Sequence, residues 1–135
     1  MLVENQSQLE KLGHALMGAV NGDWSEIVLE VSAAGALTDT GLHVVRPDGI
    51  EDWSVKPTVE VFDASKALRR GMYQPDKGTW YSATARLDRD GQLDVDFDYD
   101  NPPLDGDAED ELLLKDQVLF PRDAGHLPDW HPAHE

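Results

Sequence analysis

Trp80–Asp100 reads WYSATARLDRDGQLDVDFDYD, two runs of alternating character separated by Arg89-Asp90-Gly91. A three-residue hairpin loop places its last residue in the left-handed region, and that residue here is glycine. The register follows: Leu87 faces Leu93, Ala85 faces Val95, Ala83 faces Phe97 and Tyr81 faces Tyr99. Small residues thus oppose large ones, as a packed face requires. The other face pairs Arg86 with Asp94, Thr84 with Asp96, Ser82 with Asp98 and Trp80 with Asp100. A slip of one residue would set Leu87 beside Asp94, so the alternation enforces its own pairing.

Ser7–Val20 carries Leu9, Leu12, Leu16, Ala19 and Val20 at helical spacing and stops at Asn21-Gly22. Glu26–Ser32 (EIVLEVS) is rich in β-formers and predicts a strand, with Leu37–Val45 as its hairpin partner. Pro47-Asp48-Gly49 is a turn, because proline fixes φ and glycine accepts positive φ. Ile50–Val55 then predicts a third short strand. Pro57 opens a second helix running to about Met72, with Val59, Phe62 and Leu68 directed inward and Lys66, Arg69 and Arg70 outward. Beyond the hairpin, Pro102-Pro103 stops the strand, 105–111 is an acidic loop, and Glu109–Leu119 predicts a short helix. The expected architecture is a single α+β domain over 1–135. An antiparallel sheet of about five strands packs with an N-terminal, a central and a short C-terminal helix, and 121–135 forms an irregular tail.

The chain has 135 residues, enough for one real core. Its 27 acidic residues against 11 basic ones leave a net charge of −16. Such a surface repels nucleic acid and anionic membranes and attracts cationic partners. There is no cysteine, which excludes disulfides and thiolate metal sites. The first residues lack the basic and apolar regions of a signal peptide, and no apolar run approaches the roughly 20 residues of a membrane span. A soluble cytoplasmic protein is the expectation.

Between Asp94 and Asp116, ten acidic residues stand against Lys115 alone. Two readings stay open: a solvated face that keeps the chain soluble, and a surface presented to a cationic partner. A packed hairpin holds alternate carboxylates about 7 Å apart, and on this register Arg86 offsets only Asp94. The spacing Asp94-x-Asp96-x-Asp98 imitates a calcium loop, but Tyr99 stands where that loop needs glycine. Alternate residues of a strand, moreover, do not converge on one ion. His126, His131 and His134, with Asp129 and Glu135, match no standard zinc spacing. No nucleophile elbow, phosphate loop or metalloprotease motif is present, and a row of equivalent aspartates has no means of driving pKa values apart for acid–base work. Trp80, beside the row and shortly after Tyr73, reads either as an aromatic anchor for a partner or as a residue packed under a neighbouring loop.

Trp24 with the strand EIVLEV, MYQPDKGTW (72–80), the strand ending DFDYD (96–100) with Pro103, and the ending LFPRD…LPDW together resemble the YezG-like family of antitoxins, over roughly Trp24–Trp130. These are immunity proteins that neutralise polymorphic toxins delivered between bacteria. The resemblance implies an antiparallel α+β fold, no catalytic activity, and a cognate toxin as partner, commonly a nuclease or an enzyme that consumes a nucleotide cofactor; no cofactor is expected. It supplies no universal contact residues. The residues expected to meet the toxin are Asp96, Asp98, Asp100 and Trp80, followed by Asp105, Asp107, Glu109 and Asp110. The alternative is an acidic domain that binds calcium or a small ligand and has no toxin partner.

Overall fold

Leu12 and Leu16 lie on one face of a helix spanning Leu2–Ala19 (α1) and are fully buried, with Val20 just beyond the helix end. The computed structural model describes residues 2–134, with side chains described from Gln6 onward. Five strands follow the order β3-β2-β1-β4-β5, every neighbour antiparallel. They are β1 (Glu26–Ala34), β2 (Leu37–Val45), β3 (Glu51–Asp52), β4 (Ser82–Asp88) and β5 (Leu93–Asp98). Helix α2 (Val59–Gly71) joins β3 to β4, and α3 (Asp110–Leu119) follows β5. The class is α+β, with the helices in the expected order.

One face of the sheet makes the core. Ile27, Leu29 and Val31 of central β1, Leu42 and Val44 of β2, and Ala83, Ala85 and Leu87 of β4 pack with Leu12, Leu16, Val61, Leu68 and Trp80. Leu93, Val95 and Phe97 of β5 join the rim, half-buried. The β4–β5 register is the one the alternation predicts, from Leu87 opposite Leu93 to Ser82 opposite Asp98. Gly91 has φ +86, and the loop closes through Asp88 N–H to Gln92 C=O at 3.0 Å.

Several boundaries differ from expectation for local reasons. β3 is only Glu51–Asp52. Asp52 takes Arg46 as an ion-pair partner at 2.9 Å and accepts from both Ser54 N–H and Ser54 Oγ, which turns the chain out of the sheet. Those bonds, Ser54's first, hold the Asp52 carboxyl at about 2. Helix α2 starts at Val59, because Thr58 Oγ1 caps Val61 N–H at 3.2 Å. Its buried stripe is Val61, Ser65, Leu68 and Arg69, leaving Val59 exposed. Arg69 therefore lies inside, where it meets Asp116 at 2.8 Å and donates to the Trp80 carbonyl at 2.7 Å.

The chain after α3 is irregular apart from a single turn of 3-10 helix at Ala124–His126, yet it is firmly docked. Buried Arg122 donates to the carbonyls of Tyr99, His126 and Thr79 and stacks 4.4 Å over Tyr81. Gly78, at φ +80, makes room for it: a Cβ there would sit 2.5 Å from the Arg122 side chain. Trp130 packs edge-on to Tyr81 and donates to the Asp100 carbonyl at 2.6 Å. Within this irregular tail His131 is 2% exposed. His126 pairs with Asp123 and His134 with Asp129; Glu135 lies outside the described residues.

Candidate partner-binding face

Strand alternation that buries Ile27, Leu29 and Val31 sends Glu26, Val28, Glu30 and Ser32 to the opposite side of the sheet. Neighbouring strands extend these positions into rows. Asp94, Arg86, Val28 and His43 form one row, Asp96, Thr84, Glu30 and Gly41 the next, and Asp98, Ser82, Ser32 and Asp39 the third. Along this face runs a shallow groove of about 400 Å³ between Gly41 and the loop 101–105, lined by the carboxylate-bearing residues Glu30, Asp39, Asp98 and Asp105. Asp96 lines the depression beside it, with Ser82 and Thr84. Among the described residues none of these five carboxylates forms an ion pair. Arg86 stands opposite Asp94, but its recorded ion pair is with Glu26, at 3.7 Å, a long exposed contact of little energetic weight.

The loop that brings Asp105 to the groove is unusual backbone. Leu104, Asp105 and Gly106 occupy left-handed conformations in succession, at φ 57, 55 and 85. For each of the two side-chain-bearing residues that costs roughly 1–2 kcal/mol. Leu104 N–H donates to Ser32 Oγ at 2.6 Å, tying the loop to β1, and Ser32 Oγ lies 3.3 Å from Ser82 Oγ.

The expected contact residues separate into distinct settings. Asp96, Asp98 and Asp105 come together on the open face, joined by Glu30 and Asp39, which were not expected. Asp98 is partly committed elsewhere. It accepts from Asp100 N–H, Asn101 N–H and Asn101 Nδ2, at 3.0, 3.0 and 2.9 Å, so the strand ends there. The Asn101 side-chain bond is the main cause holding the Asp98 carboxyl below its usual value. Asp100 therefore lies past the strand and lines a different depression, with Lys77, Arg122 and His126. Asp107, Glu109 and Asp110 are exposed around the start of α3, outside the groove lining. Acidic residues there favour the positive end of a helix dipole.

Trp80 is a correction. It is 0% exposed and packs on Phe97 at 5.7 Å between ring centres, so it cannot meet a partner in this fold. The chain bends at Tyr81 before β4 begins, which breaks the alternation that had placed Trp80 with the aspartates. Tyr81 takes the environment of Arg122 and Trp130, and burial pushes its hydroxyl to about 12. The exposed aromatic on the open face is Trp53, 58% exposed and stacked on His43 at 4.3 Å. Extending the strand rows from β4 to β2 would have found Glu30 and Asp39; Trp53 carries no such signal.

Among the described residues no three histidine or carboxylate side chains are grouped as metal ligands. The arrangement is a fixed concentration of negative charge on a shallow, polar face. The hydrogen-bond networks of Asp98, Asp116 and Arg122 hold the surrounding backbone in place.

Residues 51–115 match the family model of YezG-like immunity proteins. The match bears out the resemblance read from the sequence, and it supports an immunity function in general. It covers just under half the chain, from β3 through α2 and the hairpin into α3, and so includes Asp96, Asp98 and Asp105 while leaving out Glu30 and Asp39. No curated protein matches the chain.

Proposed function

We propose that this protein is a non-catalytic immunity protein that acts in the cytoplasm by binding one cognate toxin, covering a basic active-site cleft with the acidic open face of its sheet. The observation that carries the reading is the set of five carboxylates, Glu30, Asp39, Asp96, Asp98 and Asp105, gathered on one face, none of them ion-paired among the described residues, with Arg86 of the adjacent row turned to Glu26. Like charges held together by a rigid sheet destabilise the free protein, and a cationic partner relieves that repulsion. A toxin that handles nucleic acid or a nucleotide cofactor needs a basic cleft, and an acidic plug both steers association and excludes the anionic substrate. The YezG-like match supports the toxin as the class of partner.

The test is a calorimetric titration against the C-terminal domain of the protein encoded beside this one. Glu30→Gln/Asp39→Asn/Asp96→Asn/Asp105→Asn should keep the fold and weaken binding by at least about tenfold, or 1.4 kcal/mol, with a shallower salt dependence. Unchanged affinity and unchanged salt dependence would sink the acidic face as the contact.

A further inference from the structure

β5 is an edge strand, and its outer edge is free among the described residues. The hairpin closes with Asp88 N–H to Gln92 C=O, and antiparallel alternation then turns the backbone groups of Asp94 and Asp96 toward β4. The N–H and C=O groups of Leu93, Val95 and Phe97 point outward, three donors and three acceptors with no partner among the described residues. Beside this edge, on the helical side, lies a groove of about 270 Å³ whose floor is Leu9, Gly13 and Met17 of α1 with Leu93, and whose rim carries the polar Gln6, Glu10 and His14. Met17 is 40% exposed there, and a Cβ on Gly13 would meet nothing within 4 Å.

An edge strand with free backbone groups is a template for another strand. The side chains of β5 choose which one. A second copy pairing edge to edge would set one aspartate row beside another, and like charges facing across strands are destabilising. A strand whose basic side chains fall opposite Asp94 and Asp96 is complementary. Its alternate residues would lie over the α1 groove, where small apolar side chains fit.

Resting on the partner-binding reading above, we propose that the free edge of β5 accepts an extended strand of the toxin in which basic residues alternate with small apolar ones. The acidic row would then serve two ends, preventing self-association and selecting a cationic strand. Backbone bonds would supply affinity, and the charges would supply choice.

Amide hydrogen exchange, followed by NMR on the whole chain, tests this with two probes: the neighbouring-gene toxin domain and a soluble eight-residue peptide of alternating lysine and valine. Binding should slow exchange at Leu93, Val95 and Phe97 at least tenfold. Val95→Pro removes one outward N–H at an edge position, where proline is tolerated; it should keep its circular dichroism and bind at least tenfold more weakly. If the toxin domain binds while those three amides exchange as before, the edge proposal is overturned and the immunity reading stands. If the toxin domain does not bind, that reading loses its partner and the peptide alone decides: protection at the three amides supports the edge, and unchanged exchange overturns it. The exchange measurement needs no variant, so a misfolded Val95→Pro protein would not spare the proposal.

Discussion

Asp96 and Asp116 come from the same acidic stretch and do opposite things. Asp96 is exposed and unpaired among the described residues. Asp116 is 4% exposed, pairs with Arg69 at 2.8 Å and accepts Gly35 N–H at 2.9 Å, joining α3, α2 and the β1–β2 turn at one point. A buried ion pair contributes little net stability when intact, but removing one partner strands the other charge in a poorly solvated site. Asp116→Ala should therefore lower unfolding free energy by about 3–5 kcal/mol, read from urea denaturation. Asp96→Asn should stay within about 0.5 kcal/mol of the parent, as surface changes do. Nothing in the one-dimensional charge run separates the two residues. The helical phase of α3 offers a hint, since Asp116 follows buried Leu113 by three positions, but its partner Arg69 lies far back in the chain.

The tail shows how an irregular element is held without a helix or strand. Arg122 satisfies three carbonyls, Trp130 closes over Tyr81, and His131 fills the space beside α3. His131 Nδ1 accepts Ala133 N–H at 3.0 Å, a role open only to the neutral ring. Its Nε2 is buried without a partner among the described residues. Desolvation lowers the His131 pKa below 6.5, outweighing the opposing pull of the Leu113 carbonyl and Asp116; Arg122 pushes the same way as burial. Because the folded state resists the proton more than the unfolded chain does, this stability is complete above pH 6.5 and is lost as pH falls through the folded value. The melting temperature should decline from pH 7 toward pH 5, and His131→Gln should flatten that decline. A variant with the same slope as the parent would show that other groups set it.

At the scale of the molecule, a net charge of −16 is the property a partner meets first. Steering by such a field acts on association more than on dissociation, and salt screens it. If the toxin presents a basic cleft, stopped-flow association should slow by about tenfold or more between dilute buffer and about 0.5 M salt, while the dissociation rate changes far less. Equal losses in both rates would point to short-range polar contacts instead.

Local pattern by itself determined the hairpin, its register and the apolar stripe of α1, because alternation, a left-handed glycine and helical spacing act between residues close in the chain. Composition determined the acidic character, which is a sum and needs no geometry. Only the tertiary structure decided where individual charges and aromatics went. The bend at Tyr81 sends Trp80 into the core, and strand order brings Glu30 and Asp39 beside Asp98 and Asp105. Each of those outcomes depends on a partner distant in sequence or on a break in regular backbone. Periodicity carries no record of either.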